Sequence, residues 1–241
     1  MDHDPLPEGR WRTTTAIKEL ILTRGLKPGD PMPTENELVD VIGVSRSKLR
    51  EAVRTLVALD ILEVRHGTGT FVGQLSLRPL VESMVFRGVL APADDLTALR
   101  EVVEVRTGLD LGLGPSIVER LTGGDDPELR RCVDAITRAA QRGESFSQWD
   151  RLFHLTLAER LGNHLYGQLV AAFWDIHTTV APRLGVPTSP EMMDTALAHE
   201  RMLDAAIAGD IEAYRLAVVA HYEPLLSVLA KSDAENTDTV I

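Results

Sequence analysis

The chain has little cysteine and no long apolar segment. Its 241 residues contain a single cysteine, Cys132, which excludes an intrachain disulfide and suits a reducing cytoplasm. No run approaches the roughly 18 apolar residues that a transmembrane helix needs. The acidic residues Asp2, Asp4 and Glu8 do not fit a signal peptide. These absences predict a cytoplasmic protein without a membrane-spanning helix.

Positive charge is scarce as well. The chain carries 25 Lys and Arg against 36 Asp and Glu, a net charge of −11, whereas DNA attracts cations. One segment departs from this balance: residues 44–54 contain four basic residues and only Glu51 as an acid. We therefore expect the acidity to belong to a second domain, and any DNA contact to be confined to a small basic patch.

The residues around this patch have the spacing of a helix-turn-helix. Apolar residues recur at helical intervals in residues 11–24 and in the two helices that follow. Thr34 begins an S/T-x-x-E capping box, Gly43 suits the end of that helix, and Ser45 suits the start of the next. We expect the last helix, residues 45–59, to bury a stripe of four residues, namely Leu49, Val53, Leu56 and Val57.

A hairpin follows the third helix. Residues 61–64 and 70–72 are β-branched and apolar, and residues 66–69 between them read as a turn. The N-terminal end of a recognition helix enters the major groove, where arginine binds guanine or phosphate, and a wing reaches the minor groove or the backbone. We predict a winged helix-turn-helix domain over residues 8–75 that contacts DNA through Arg46, Ser47, Lys48, Arg50, His66, Gly67 and Thr68.

The second predicted domain, residues 94–231, is an antiparallel all-α bundle, so the fold class is mainly α with a small β wing. Residues 76–93 are predicted to be a linker with some helical content, and residues 232–241 a disordered polar tail. The expected helix starts are marked by N-cap residues and by proline in the first turn. These are Asp94 or Asp95, Asp126-Pro127, Ser147, Asn163, Ser189-Pro190 and Gly209-Asp210.

Four residues of this domain have the chemistry of a metal site. Asp150 and His154 lie four apart, on one face of one helix, while His199 and His221 fall among apolar residues in two later helices. Three imidazoles and one carboxylate meeting inside a bundle suit a borderline divalent cation. We predict one metal per chain, with zinc first and nickel and manganese as alternatives.

Each of these residues also has a structural interpretation. Asp150 stands three residues after Ser147 and could complete a capping box. A core histidine is more often hydrogen-bonded to its neighbours than bound to a metal. His177 has no partner at ligand spacing, and we retain it as a candidate for effector binding. Cys132 lies on an apolar stripe and is predicted to be a core residue.

Two rival functions use the same four residues. A metal-dependent hydrolase or isomerase would need a general acid or base beside the metal, and Glu200 and His177 are the available candidates. A metal-sensing regulator would respond to the ion itself. The DNA-binding pattern favours a regulator without catalytic activity.

Two separate motif sets give the chain a family resemblance. One motif set, residues 32–72, resembles the winged-helix domain of GntR-family repressors and reads MPTENELVDVIGVSRSKLREAVRTLVALDILEVRHGTGTFV. Asp150-x-x-Phe153-His154, then Gly162-Asn163, then two separated histidines resemble the FCD ligand-binding domain of the FadR-like branch. The match extends over about residues 10–230.

The resemblance implies roles for particular residues. Arg46, Arg50, His66 and Gly67 match DNA-contacting positions, and the four predicted ligands match the metal ligands of the family. Arg106 matches an arginine that meets an effector carboxylate, and Asn163 matches a position in the effector pocket. The implied protein is a homodimeric repressor on a near-palindromic operator, controlled by a small carboxylate metabolite.

Three departures from the family pattern stand out. Asn36 replaces the usual arginine, which removes one DNA contact. Asp60 replaces the usual glycine after the recognition helix, where aspartate tolerates a left-handed conformation at some cost. Gly112, Gly114 and Pro115 interrupt a normally Ala-rich helix, so we expect a break there that reshapes the effector pocket.

Overall fold

The structure, a computed structural model, describes residues 8–90, 96–182 and 192–237, with side chains from residue 12 to residue 230 within those ranges. The chain divides into two compact units between Pro79 and Leu80. The first combines helices with one antiparallel hairpin and the second is helical. This confirms the predicted fold class.

The N-terminal unit is a winged helix-turn-helix. Its elements are α1 (Glu8–Thr23), α2 (Glu35–Ile42), α3 (Arg46–Ala58), β1 (Leu62–Arg65) and β2 (Gly69–Val72). In the hairpin, Leu62 is paired with Val72 and Arg65 with Gly69. The core is apolar and draws on all five elements, with Ile17, Leu38, Leu49, Leu56, Leu62 and Val72 among its members.

The predicted caps of the helix-turn-helix are confirmed. The side chain of Thr34 accepts a hydrogen bond from the backbone of Glu37 in a complete capping box, Gly43 is left-handed at the end of α2, and Ser45 caps α3. The buried stripe of α3 differs from the prediction: Leu49 and Leu56 are buried, but Val53 is only half-buried. Val57 is 38% exposed while Ala52 is buried, because Val57 lies one position past Leu56 and has rotated away from the core.

The turn after α3 contacts the segment that follows β2. Asp60 has a φ of 56°, which confirms the left-handed conformation expected there. Its carboxylate accepts a hydrogen bond from the backbone of Ser76 at 2.9 Å. Gly73 lies so close that a Cβ there would be 2.3 Å from the carbonyl oxygen of Asp60. Only glycine fits this approach.

The C-terminal unit consists of helices packed around one large core. They are α4 (Arg78–Leu90), α5 (Thr97–Leu121), α6 (Pro127–Gln141), α7 (Ser147–Leu161), α8 (His164–Val180), α9 (Met192–Ala208) and α10 (Ile211–Thr237). Asp126, Asn163 and Asp210 accept hydrogen bonds from the first turns of α6, α8 and α10, as predicted. Cys132 is buried in the core. In the described ranges no helix is long and apolar enough to cross a membrane.

The segment predicted as a linker belongs mainly to this unit. Residues 78–90 form α4, and its residues Val81, Met84 and Val85 pack on a small cluster of Val102, Ile176 and Val180. Burial of these apolar side chains explains why the segment is an ordered helix rather than a free connection.

Two other expectations were wrong. Helix α5 continues through Gly112, Gly114 and Pro115 without a break. Gly114 faces Tyr214 of α10, since a Cβ there would lie 3.1 Å from that ring. The glycine therefore permits close helix packing, and these tertiary contacts outweigh its weak helix propensity.

Helix α10 extends to Thr237, although a disordered tail was predicted from residue 232. No glycine or proline interrupts residues 231–237, and extending an existing helix costs far less than starting one.

Some predictions lie outside the described residues. These are the helix starts at Asp94 or Asp95 and at Ser189-Pro190, and residues 238–241 of the predicted tail.

Candidate metal centre, effector cavity and DNA-binding surface

Three helices bring the four predicted metal ligands together. Helix α7 contributes Asp150 and His154 from one face, α9 contributes His199, and α10 contributes His221. One potential ligand atom from each residue lies within 4.8 Å of those of the other three, and all four residues are buried. The sequence spacing therefore identified a real cluster.

The closest atoms of the cluster converge on a common point. Asp150 Oδ1 lies 3.4 Å from His154 Nε2 and 3.3 Å from His199 Nε2. His154 Nε2 lies 3.2 Å from His221 Nε2. The capping-box alternative for Asp150 fails, because α7 begins after Phe146 without a side-chain cap.

The Nε2 atoms of the histidines meet in the cluster, and the surroundings of the Nδ1 atoms decide whether Nε2 is available to an ion. His199 Nδ1 lies 2.8 Å from the backbone carbonyl of Thr195, so Nδ1 donates its proton there and Nε2 keeps a free lone pair. The Nδ1 atoms of His154 and His221 are buried and find no hydrogen-bond partner among the residues that the structure describes. His154 Nδ1 lies 3.8 Å from Asp110 Oδ2, the second carboxylate near the cluster.

The protonation states match those of metal ligands. Burial lowers the pKa of His221 to about 3, with His199 adding to the effect. Burial and then Arg106 hold the pKa of His154 well below its usual value. Burial alone would raise the pKa of Asp150, but the three histidines outweigh it and lower that pKa. An ionised carboxylate beside the neutral imidazoles of His154 and His221 is a form that binds a divalent cation, so the residues present fit a metal.

A buried aspartate next to the cluster is hydrogen-bonded to two tyrosines. Asp110 of α5 accepts hydrogen bonds from the hydroxyls of Tyr166, at 2.7 Å, and Tyr222, at 2.6 Å. Burial raises its pKa, against the opposing effects of Arg106 and the two tyrosines. The network links helices α5, α8 and α10 beside His154.

A cavity of about 500 Å³ opens next to this cluster. Asp150 and His221 line it, and so do Arg106 and His177, two of the three predicted effector-binding residues. Asn163 does not line it, and its side chain caps α8 instead by accepting from Tyr166 N at 3.1 Å. Gly112, Gly114 and Pro115 are also absent from the lining, so the cavity is not shaped by them in the way the sequence predicted.

Arg106 is the main charged group of the cavity outside the cluster. The residue is only 8% exposed, and its guanidinium carbon lies 5.5 Å from the ring centroids of both Trp174 and Tyr222. Its Nε and Nη2 atoms are buried and make no hydrogen bond within the described part of the chain. Two buried donors on a cation match the two oxygens of a carboxylate.

The residues predicted to contact DNA are exposed on α3 and in the hairpin turn of the N-terminal unit. All seven, from Arg46 on α3 to Thr68 in the hairpin turn, are exposed. Arg50 is held by Glu35 of α2, with its Nε and Nη2 donating to the carboxylate at 2.9 and 3.0 Å. This exposed pair joins the recognition helix to α2.

Two family descriptions match this chain. Residues 12–72 match the gntR family of bacterial regulatory proteins, and residues 101–224 match the FCD domain. The chain belongs to the GntR family and carries an FCD domain. It is therefore a transcriptional regulator of the GntR/FCD type, in a family that binds operator DNA.

Similar proteins agree with this assignment. A proposed L-lactate dehydrogenase operon regulatory protein of Escherichia coli (strain K12) is 28% identical over 91% of this chain and 85% of its own length. The galactonate operon transcriptional repressor of the same organism is 25% identical over 74% of this chain and 78% of its own. A solved structure of Streptococcus agalactiae GntR covers 90% of this chain and 99% of its own with a TM-score of 0.61 and 26% identity.

These relatives are transcriptional regulators, and this GntR/FCD protein is not an enzyme. The two residues considered as catalytic bases lie in different places. Glu200 is exposed on α9, and it does not line the cavity; His177 lines the cavity but is not one of the four clustered residues.

Sequence reasoning missed the second layer of the site in this regulator. Asp110, Tyr222 and Trp174 all contact a predicted site residue, yet none was proposed. A signal for Asp110 existed, since it lies four residues after Arg106 and therefore on the same face of α5. The two tyrosines that hold it come from other helices, and no spacing in the sequence connects them.

Proposed function

We propose that the chain is a repressor whose affinity for operator DNA is controlled by a small carboxylate bound at Arg106 beside a metal ion. The observation that carries the proposal is the pair of buried guanidinium nitrogens of Arg106 that lack hydrogen-bond partners in the described residues. Leaving such donors unpaired is costly, and a carboxylate would satisfy both.

The proposed ligands of the metal are Asp150, His154, His199 and His221. Zinc is the ion best suited to three imidazoles and one carboxylate, and nickel and manganese bind similar sets. When bound, the metal would supply a positive charge and open coordination positions to an oxygen of the effector. Asp150 and His221 support this role because they belong to both the cluster and the cavity lining.

The proposed DNA-contacting residues are Arg46, Ser47, Lys48, Arg50, His66, Gly67 and Thr68. Their support is their exposure on a recognition helix and a wing, the two elements that reach DNA in this kind of fold. We expect a homodimer on a near-palindromic operator in the cytoplasm, because two-fold symmetric proteins read symmetric half-sites. The name of one relative, a galactonate operon repressor, supports repression as the sign of control.

The test compares wild-type protein with Arg106→Met. Both are purified without chelator, their metal content is measured by inductively coupled plasma mass spectrometry, and an operator is selected from random DNA with the wild-type protein. A carboxylate panel is then screened by thermal shift and by fluorescence anisotropy on that operator. We expect about one metal per chain in both proteins and a carboxylate response in wild type alone.

The control is Arg138→Met, which removes an exposed arginine of α6 and should respond as wild type does. An undiminished carboxylate response in Arg106→Met would refute the proposal. Operator affinity that follows the metal concentration, with no carboxylate needed, would instead identify a metal sensor.

A further inference from the structure

The cavity beside the candidate metal centre has one charged end and otherwise mostly apolar walls. Arg106 and Asp150 form the charged end beside the neutral imidazole of His221, and the apolar surface comes from four helices and the loop before α7. The apolar lining includes Val102, Phe146, Phe173, Trp174, Met192 and Leu225. An occupant matched to this lining has one charged head and an apolar body.

Four hydroxyl groups of the lining are already hydrogen-bonded within the protein. Ser145 and Ser147 bond to each other at 2.8 Å, and Thr178 donates to the backbone carbonyl of Trp174 at 2.9 Å. Tyr222 donates to Asp110. A polyhydroxylated ligand would lose water from several hydroxyls and find few free partners, which weakens its binding.

Aromatic surface begins directly at the carboxylate-binding group. The guanidinium of Arg106 lies 5.5 Å from the ring centroids of Trp174 and Tyr222, so the carbon chain of a bound carboxylate would leave the arginine beside these rings. A cavity of about 500 Å³ lies in the range that holds drug-sized ligands. A three-carbon acid would leave most of it filled with water.

We propose that the effector is a 2-hydroxy or 2-oxo carboxylate with an aryl or medium-length alkyl body, rather than a short hydroxy acid or a sugar acid. Its carboxylate binds Arg106, and its 2-hydroxy or 2-oxo oxygen lies toward the metal ligands. Its apolar body covers Phe173 and Trp174. This inference rests on the carboxylate-binding role proposed for Arg106.

The test uses isothermal titration calorimetry on the full-length protein with its metal and three probes: phenyllactate, lactate and galactonate. Phenyllactate and lactate share the same 2-hydroxycarboxylate head and differ in the phenyl ring. Burial of that ring predicts binding about 30-fold tighter for phenyllactate than for lactate, and galactonate should bind no tighter than lactate.

The outcomes distinguish a failure of this inference from a failure of the proposed carboxylate-binding function. If lactate or galactonate binds as tightly as phenyllactate, the apolar-body inference is overturned while Arg106 keeps its proposed role. If none of the three binds, or all bind equally well to Arg106→Met, the carboxylate function itself fails and the inference falls with it.

A variant locates the selectivity. Phe173→Ser removes apolar surface from the lining, and Phe173→Leu retains it, with far-UV circular dichroism confirming that both fold. We expect Phe173→Ser to reduce the preference for phenyllactate over lactate to a few-fold, while Phe173→Leu keeps most of that preference. An unchanged preference in Phe173→Ser would overturn the assignment of this wall.

Discussion

The N-terminal unit keeps its charged groups on the surface, whereas the C-terminal unit buries a set of them. The residues proposed to contact DNA are all exposed. The described core of the N-terminal unit is apolar apart from Thr13 and Thr14. In the described part of the C-terminal unit six Arg, Asp and His residues are buried, namely Arg106, Asp110, Asp150, His154, His199 and His221. The same residue types thus serve two different physical purposes in one chain.

The difference determines how function and folding are linked. An exposed arginine is solvated in the folded protein without DNA, so its loss should affect DNA binding and leave stability nearly unchanged. A buried charge without a partner destabilises the fold, so a bound metal or carboxylate should stabilise the C-terminal unit as well as signal to it. Four predictions test this contrast, from the largest expected effect to the smallest.

Removing the metal should produce the largest loss of stability. A ligand present at about 1,000 times its Kd stabilises the folded state by about 4 kcal/mol, and His199→Ala combined with His221→Ala should abolish that contribution. Urea unfolding with and without a chelator, alongside elemental analysis, measures it. His164→Ala, which changes an exposed histidine outside the cluster, should behave as wild type. A double variant with full metal content would show that the cluster is structural.

Arg46→Ala should weaken operator binding by roughly 1–3 kcal/mol with an unchanged free energy of unfolding. The side chain is 64% exposed and lies 4.0 Å from Glu35, and an exposed pair of this kind contributes little to stability. Fluorescence anisotropy gives the affinity and urea unfolding gives the stability. Arg24→Ala makes the same charge change just after α1 and should cost less. A large drop in stability for Arg46→Ala would break the contrast between the two units.

Tyr166→Phe should destabilise the C-terminal unit by about 1–3 kcal/mol, because it leaves an oxygen of the buried Asp110 without its donor. Tyr214→Phe is the matched control: it deletes the same atom from a buried ring whose hydroxyl makes no hydrogen bond to Asp110. Urea unfolding of both variants gives the difference. Equal costs for the two would mean that the network around Asp110 contributes nothing specific.

Arg160→Met should have the smallest effect, about 1 kcal/mol at neutral pH. Arg160 Nε donates to Asp126 at 2.6 Å and Nη2 donates to Glu128 at 2.7 Å, which joins α7 to the start of α6. Burial would raise the pKa of Asp126, but the bond and charge of Arg160 together with the backbone N–H groups of Leu129 and Glu128 outweigh it and lower that pKa.

The pKa of Asp126 is lower in the folded state than in the unfolded chain, where it is about 4. The ion pair with Arg160 therefore stabilises the fold above about pH 4, and this stabilisation is lost as the pH falls through the pKa of Asp126 in the folded state. The gap in unfolding free energy between wild type and Arg160→Met should therefore narrow below pH 4. Arg151→Met removes an exposed arginine 3.9 Å from Asp175 and should show little gap at any pH. A gap for Arg160→Met that is independent of pH would contradict the assigned cause.

Much of the fold was predictable because its signals are local. The capping box at Thr34, the left-handed Gly43 and the caps at Asp126 and Asn163 depend on residues within four positions of each other. Local signals misled at Gly114 and Pro115, where contact with another helix keeps α5 continuous. Val57 was misplaced because the exact rotation of a helix is set by its neighbours.

The candidate site divides in the same way. Asp150 and His154 were predictable as a pair on one helix face, and two buried histidines completed the set. The positions of Asp110 and Tyr222 were not predictable, since their contact joins helices more than 100 residues apart in the sequence. The cavity itself exists only where several helices meet, and no pattern within one helix describes it.

The joint between Asp60, Gly73 and Ser76 has a practical consequence for protein engineering. A chimera that exchanges the DNA-reading part of this regulator for that of a relative must carry all three residues together. A fusion made between Pro79 and Leu80 keeps the joint whole and lies at the division between the two units. A fusion made at residue 73 would separate Asp60 from the backbone that it binds, and an incoming residue other than glycine would collide with its carbonyl group.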